Sequence, residues 1–157
     1  MSAEESKHGE AQVQNQEDDL GGSPFTRQFL LERPIRNGTF AGKTGYFISI
    51  RLTSYRSLPL SCIESVALAV DGKAIAPEAI TFVLNGFGMK PSEFVNNRHI
   101  FWWILDPAEL FVEDAQGLPE GEHLVEGNMV VIEPYITAGR GAFPHPSKKH
   151  LVVETPL

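Results

Sequence analysis

The sequence predicts an all-β protein, an antiparallel β-sandwich of the jelly-roll or immunoglobulin-like kind. The first observation behind this prediction is that apolar and polar residues alternate with a period of two in several short segments. The second is that turn-forming residues separate these segments. The third is that no long segment repeats its apolar residues every 3.6 positions, which argues against a parallel sheet covered by helices.

The alternating segments predict the strands and their buried faces. Because successive side chains of a strand point to opposite faces of a sheet, every second residue of each segment is assigned to the core. The predicted core positions are Tyr46, Ile48, Ile50 and Leu52; Val66, Leu68 and Val70; Ile80, Phe82 and Leu84; and Leu110 and Val112. A longer apolar strand is predicted over residues 125–132.

The residues between the strands predict tight turns. The pairs Asp71-Gly72 and Asn85-Gly86 accept a positive φ and are strong hairpin signals. Gly117 to Gly121 predicts another reversal before the long strand. A short helical turn is expected over Pro91 to Val95, since proline is tolerated at the start of a helix.

Composition divides the chain into three parts. Residues 1–23 hold six acidic residues and one basic residue, and we expect them to form a disordered acidic tail. The sandwich domain is predicted over residues 24–137. A Gly- and Pro-rich C-terminal extension follows over 138–157, in which Leu151 to Val153 could add a short strand or contact a partner. The chain after residue 23 has 14 acidic and 12 basic residues, so no basic patch for nucleic acid is expected.

Cysteine use and hydropathy indicate the compartment. The single cysteine, Cys62, rules out an internal disulfide and is expected to be a small buried apolar residue. The N-terminal residues lack the apolar segment of a secretory signal, and no apolar run approaches the roughly 18 residues of a membrane span. We therefore expect a cytoplasmic protein without membrane contact.

The sequence lacks the common catalytic and metal-binding motifs. It has no G-x-S-x-G, no phosphate-binding loop and no H-E-x-x-H. His145 and His150 are spaced wrongly to share a helix face, and no H-x-H pair occurs. We therefore expect no catalytic residue, no metal ligand and no cofactor in this chain.

Two segments have residues that are typical of contact surfaces. The stretch LTSYRSLPLSCI, residues 52–63, places Tyr55 and Arg56 after a strand that Pro59 must terminate. Tyrosine and arginine are enriched at interface hot spots. We call residues 52–63 the Tyr-Arg loop; it is either a docking or substrate-facing edge, with Arg51 beside it, or a plain surface loop.

The second segment is the aromatic run Ile100 to Leu105, which His99 precedes. It is apolar on both faces of a strand, so either the strand is central in the sandwich or one face meets a partner. A sugar-stacking surface at Trp102 or Trp103 is a further possibility.

The Tyr-Arg loop and the segments on either side of it resemble a known family, the β subunits of bacterial C-glycoside deglycosidases. The resemblance is based on Tyr46 to Ser61, on Ile63-Glu64 and on Val70-Asp71-Gly72, and the block Tyr-Arg-x-x-Pro-Leu-Ser within it is the most specific part. It covers about residues 30–137. Ser57 stands where the family usually has glycine.

The resemblance implies a heteromeric enzyme. In such enzymes the α subunit is a metal-dependent (β/α)-barrel, commonly with Mn²⁺, and it cleaves the C–C glycosidic bond of 3-oxo-C-glycosides by base-promoted elimination. This chain would then be an accessory subunit of a lyase complex, inactive alone. The residues expected at the subunit interface or facing the substrate are Arg51, Tyr55, Arg56, Pro59, His99, Trp102 and Trp103.

Two other interpretations remain open. One is a stand-alone sandwich that binds carbohydrate or polyphenol through Trp102 or Trp103. The other is a structural immunoglobulin-like module of a larger assembly, which would have neither a ligand nor a catalytic partner.

Overall fold

The computed structural model describes residues 28–54, 56–133 and 142–154. The strands are β1 (Arg36–Phe40), β2 (Lys43–Ile50), β3 (Leu58–Pro59), β4 (Ile63–Val70), β5 (Lys73–Ala74), β6 (Ile80–Leu84), β7 (Phe87–Met89), β8 (Phe101–Trp102), β9 (Ala108–Glu113), β10 (Gly121–Ile132) and β11 (Ala142–Val153). Short 3₁₀ helices span Leu60–Cys62, Pro77–Ala79 and Pro91–Asn96. No helix in these ranges is long and apolar enough to cross a membrane.

The strands form two larger sheets and a small ribbon. One sheet has five strands in the order β1-β2-β9-β6-β7, and the other has four in the order β11-β10-β4-β5. Strands β3 and β8 form a separate two-stranded sheet. Every pairing between named strands is antiparallel, so the predicted all-β antiparallel class is confirmed.

The buried faces follow the predicted alternation. The predicted core positions of β2, β4, β6 and β9 all belong to one buried cluster, and Cys62 is buried as expected. A second, smaller cluster joins Phe47, Val83 and Phe111 on the opposite face of the five-stranded sheet, with Phe40 packed against it. Phe40 can pack there because Gly88 leaves room for its ring. A Cβ at position 88 would lie about 2.5 Å from the nearest atom of that ring.

The predicted hairpin turns are present. Asp71 and Gly72 have φ angles of 52° and 82°, and Asn85 and Gly86 have φ angles of 53° and 80°. A further turn of this kind at Ala41-Gly42, with φ angles of 54° and 81°, was not predicted. Alanine is an unusual residue at positive φ, so the sequence has no signal for the first position of this turn.

The sandwich continues into the segment that was expected to be a C-terminal extension. Strand β11 pairs with β10 residue by residue over its whole length. Pro144 and Pro146 argue against a strand at this place in the sequence. They are tolerated because β11 lies at the edge of the sheet. On its outer side the Ile35 amide donates to the Val152 carbonyl, 2.8 Å away. Pro144 and Pro146 are an even number of residues from Val152, so their backbone nitrogens also point to the outer side, away from β10. The missing N–H groups therefore cost no hydrogen bond between β10 and β11.

The predicted tail over residues 1–23 lies outside the described residues. The first described segment connects the two larger sheets, because Leu30 bridges Ile50 of β2 and Ile35 bridges Val153 of β11. Leu31 N donates to Ser49 O (3.0 Å), and Arg51 N donates to Phe29 O (2.9 Å).

His123 fastens the β4–β5 hairpin to the start of β10. Its Nδ1 lies 2.6 Å from Asp71 Oδ2, and its Nε2 lies 2.7 Å from the Pro119 carbonyl oxygen. Both partners are acceptors, so the doubly protonated ring can donate to both. The hydrogen bond with Asp71 is the main reason why the pKa of His123 is raised and the pKa of Asp71 is lowered.

We predict that this pair makes the stability of the fold depend on pH. Because its pKa is raised, protonated His123 increases the free energy of unfolding. This contribution has its full size below pH 6.5, the ordinary pKa of histidine, and is lost as pH rises through the raised value. Urea unfolding between about pH 7 and pH 9, where His145 is mostly neutral in both the folded and the unfolded chain, should therefore show stability falling with pH, and His123→Gln should flatten the curve. An unchanged slope in the variant would show that other groups cause the dependence.

Candidate functional site

The Tyr-Arg loop and the aromatic segment, which are far apart in sequence, lie side by side. Leu58 pairs with Trp102, and Pro59 pairs with Phe101. The amide of Ile104 donates to Ser57 Oγ (2.7 Å), across 47 positions of the chain. We call residues 57–60 together with 100–105 the β3–β8 ribbon, and it is the candidate functional site.

The inward side of the ribbon is anchored by Trp102. Its side chain is completely buried, and its ring lies 5.1 Å from the Phe82 ring, nearly edge to face. The indole Nε1 donates to the Asp106 carbonyl oxygen (2.7 Å). This corrects the expectation that Trp102 faces a partner or a ligand, because the alternation of β8 turns this residue into the core.

The outward side of the ribbon is an exposed apolar surface. Phe101, Trp103 and Leu105 are 43%, 61% and 89% exposed. The rings of Phe101 and Trp103 are 6.1 Å apart, with 31° between their planes. Adjoining exposed apolar side chains of this size are typical of a surface that binds something. We call these three residues the apolar patch.

The other predicted contact residues differ in burial and in their contacts. Pro59 is half-buried within β3, and Arg56 is exposed just before the ribbon begins. His99 is exposed and directly precedes the aromatic segment. Arg51 is half-buried, and its Nε donates to the Gln28 carbonyl oxygen (3.1 Å). Tyr55 lies outside the described residues.

Beside the ribbon is a cavity of about 320 Å³. Its wall consists of residues from the N-terminal segment, the end of β2 and the turn after the ribbon, namely Leu31, Arg33, Arg51, Leu52, Ile104, Leu105, Asp106 and Pro107. Arg33, Arg51 and Asp106 lie in this wall together with apolar residues. We call it the arginine cavity. Leu105 belongs both to it and to the apolar patch.

A buried carboxyl group lies at the base of the Tyr-Arg loop. Glu133 is 1% exposed, and its Oε1 accepts a hydrogen bond from Ser54 Oγ (3.0 Å). The Ser54 oxygen in turn accepts one from the Arg56 amide (3.4 Å). Within the described ranges, Glu133 Oε2 and Thr53 Oγ1 are buried without a hydrogen-bond partner.

Burial raises the pKa of Glu133, because desolvation outweighs the effect of the Ser54 bond. Burial, and then the neighbouring Glu133, also raise the pKa of Cys62. The burial of Glu133 was not predicted, because an acidic residue at a strand end usually faces solvent. The alternation of β10 could have indicated it. Met129 and Val131 are buried, and Glu133 is the next residue on the same face, directly after the strand ends.

His145 is a second buried polar group. It is fully buried in β11, and neither ring nitrogen has a hydrogen-bond partner among the described residues. Burial lowers its pKa to about 4, so the ring is neutral at neutral pH. In the part of the chain that the structure describes, no three His, Cys, Asp or Glu side chains come together to hold a metal ion.

We predict that Glu133→Gln stabilises the isolated chain at neutral and alkaline pH. The contribution of Glu133 to the stability of the wild-type chain falls as pH rises from 4.5, the ordinary pKa of this group, to its raised value. The amide keeps the acceptor for Ser54 without a buried charge, so a gain of about 1 kcal/mol is expected from chemical unfolding at pH 8. The gain should vanish below pH 4.5. A destabilised variant at pH 8 would show that the ionised carboxylate has a partner.

Comparison with known proteins gives one consistent result. The family model described as "C-glycoside deglycosidase beta subunit" matches residues 25–135, which include the Tyr-Arg loop, the ribbon and Glu133. The C-glycoside deglycosidase beta subunit of Arthrobacter globiformis is 30% identical over 113 residues, 71% of this chain and 86% of that protein.

Two further relatives agree. The 3'-dehydrocarminate deglycosidase beta subunit of a Microbacterium species is 29% identical over 102 residues, 65% of this chain and 76% of that protein. The C-glycoside deglycosidase beta subunit of Eubacterium cellulosolvens is 34% identical over 91 residues, 58% of this chain and 61% of that protein.

Proposed function

Because the chain belongs to the family of C-glycoside deglycosidase beta subunits, we propose that it is the accessory β subunit of a heteromeric enzyme. The catalytic α subunit of this enzyme cleaves the C–C glycosidic bond of 3-oxo-C-glycosides. The β subunit is inactive alone and acts by docking onto α through the β3–β8 ribbon.

The proposed chemistry belongs to the α subunit, for which we propose a metal-dependent (β/α)-barrel with Mn²⁺. A C–C glycosidic bond has no leaving oxygen to protonate. A ketone at sugar C3 makes the proton at C2 acidic, so a base can remove it. The aglycone then leaves from C1 with the bonding electron pair, a C1–C2 double bond forms in the sugar, and the departing carbon takes up a proton. Positioned charges that stabilise the intermediate enolate lower the barrier. Nothing in this scheme requires a reactive group from the β subunit.

The observation that supports docking is the apolar patch on a rigid base. Phe101, Trp103 and Leu105 are exposed, while Trp102 between them is fully buried. The ribbon's backbone is held by strand pairing and by the bond from Ile104 to Ser57. Such a surface loses little conformational entropy on binding, and tryptophan is among the residues that contribute most at interfaces.

Co-expression with the catalytic α subunit tests the proposal. We expect a stoichiometric complex on gel filtration and turnover of a 3-oxo-C-glycoside by the complex alone. A β chain that stays monomeric in the mixture, or that cleaves the substrate without α, would overturn the proposed function.

A second candidate is a stand-alone polyphenol- or carbohydrate-binding module. The exposed Phe101 and Trp103 rings, with 31° between their planes, favour it because they could hold a flat ligand. Quenching of tryptophan fluorescence by a flavonoid or a sugar, with no partner present, would support this candidate over docking.

We predict that Trp103→Ala weakens the complex about 30-fold or more, the effect of losing a hot spot of about 2 kcal/mol. Phe87→Ala is the matched control, since Phe87 is a similarly exposed aromatic residue (59%) on β7 of the five-stranded sheet. Isothermal titration calorimetry should show little change for the control. Similar losses for both variants would mean that the ribbon is not the docking surface.

We also predict that Arg56→Ala weakens assembly or activity without unfolding the isolated chain. Arg56 is exposed, and the hydrogen bond that its backbone amide donates to Ser54 Oγ is kept when the side chain is replaced. Circular dichroism should show that the isolated variant is still folded, because substitutions at exposed positions rarely unfold a domain. Unchanged affinity and turnover would remove Arg56 from the docking surface.

A further inference from the structure

A buried hydrogen bond holds the start of the Tyr-Arg loop against the far end of β10. Ser54 is fully buried, and its Oγ donates to Glu133 Oε1 (3.0 Å), a carboxyl oxygen 79 positions away in the chain. Resting on the proposed function, we propose that Glu133 is a positioning residue of the docking surface. Through Ser54 it holds the backbone at Arg56 in the conformation that binds the α subunit.

Hydrogen bonds fix the chain on both sides of Arg56. On one side, Ser54 Oγ accepts from the Arg56 amide (3.4 Å). On the other side, Ser57 Oγ accepts from the Ile104 amide (2.7 Å), which fastens the start of the β3–β8 ribbon. Arg56 lies between these two serines, so both ends of the short stretch that carries it are held. A contact residue whose backbone is fixed beforehand loses less conformational entropy when a partner binds.

Glu133 is itself anchored by a strand that has neighbours on both sides. At this end of β10, Val131 pairs with Ile63 of β4, and Ile132 pairs with Ala142 of β11. Glu133 is the next residue after the strand and is buried on the same face as Val131. The carboxyl group is therefore a fixed point against which the loop is held.

Stability alone does not explain an acidic residue at this position. Glu133 is 1% exposed, and its Oε2, like Thr53 Oγ1, is buried without a hydrogen-bond partner in the described ranges. An apolar side chain would continue the buried face of Met129 and Val131 without burying a charge. What an apolar side chain cannot supply is the acceptor for Ser54. The acid is thus explained by the loop that it holds rather than by stability.

The first test compares an acceptor with an apolar side chain at position 133. Calorimetry of the complex should show wild-type affinity for Glu133→Gln, whose amide oxygen still accepts from Ser54, and about tenfold weaker binding for Glu133→Met. Ser54→Ala, which removes only the hydroxyl, should weaken binding about as much as Glu133→Met. Wild-type affinity in Glu133→Met or in Ser54→Ala, or an equal loss in Glu133→Gln, would overturn the inference.

Ser147→Ala is the matched control, because Ser147 makes the same two kinds of hydrogen bond elsewhere. It is buried in β11, where its Oγ accepts from the Leu30 amide (3.3 Å) and donates to Gln28 Oε1 (3.0 Å). The variant removes a similarly bonded hydroxyl outside the Tyr-Arg loop, so the affinity for α should stay unchanged. A loss equal to that of Ser54→Ala would show that lower overall stability weakens binding, and the inference would be overturned.

Hydrogen exchange of the free chain separates this inference from the proposed function. In the ¹⁵N-labelled Ser54→Ala chain, the Arg56 amide should exchange about fivefold faster than in wild type, the effect of one lost hydrogen bond of average strength. Glu133→Met should shift this rate in the same direction, whereas the Ile104 amide, which Ser57 holds, should keep its rate. An unchanged Arg56 rate overturns the positioning role. Failure of the wild-type chain to form a complex with α overturns the proposed function, even where the exchange result holds.

Discussion

The burial of Trp102 is the constraint on which the candidate site depends. In a strand, neighbouring side chains point to opposite faces. Because Trp102 packs into the core against Phe82, the residues on either side of it, Phe101 and Trp103, must point outward. An apolar surface beside the sandwich is thus the geometric consequence of a well-packed core, and the same contact fixes the ribbon that carries it.

Two titratable side chains are buried in the interior at a cost in stability. Glu133 and His145 have polar atoms that lack partners among the described residues. Unsatisfied buried groups of this kind cost stability, on the order of 1–3 kcal/mol each. Ser54 links Glu133 to the Arg56 backbone, so part of the cost at Glu133 is offset by holding the Tyr-Arg loop in place.

Apolar and charged side chains meet at one end of the β3–β8 ribbon. Leu105 belongs both to the exposed apolar patch and to the wall of the neighbouring cavity, which also includes Arg33, Arg51 and Asp106. In the proposed docking, affinity would come mainly from the aromatic and aliphatic groups, whereas charged groups at its edge would contribute specificity and the rate of association.

The fold class, most of the strands and the two hairpins with Asp-Gly and Asn-Gly turns could be predicted from local patterns in the sequence. Period-two alternation and turn residues act over a few positions, and the family resemblance came from a longer motif, Tyr-Arg-x-x-Pro-Leu-Ser. Three features became visible only in the folded chain: the Tyr-Arg loop pairs with the aromatic segment, Glu133 is buried, and β11 completes a sheet despite its two prolines. These depend on contacts across many positions. Pairing between distant strands is set by how whole faces pack, which no local pattern records.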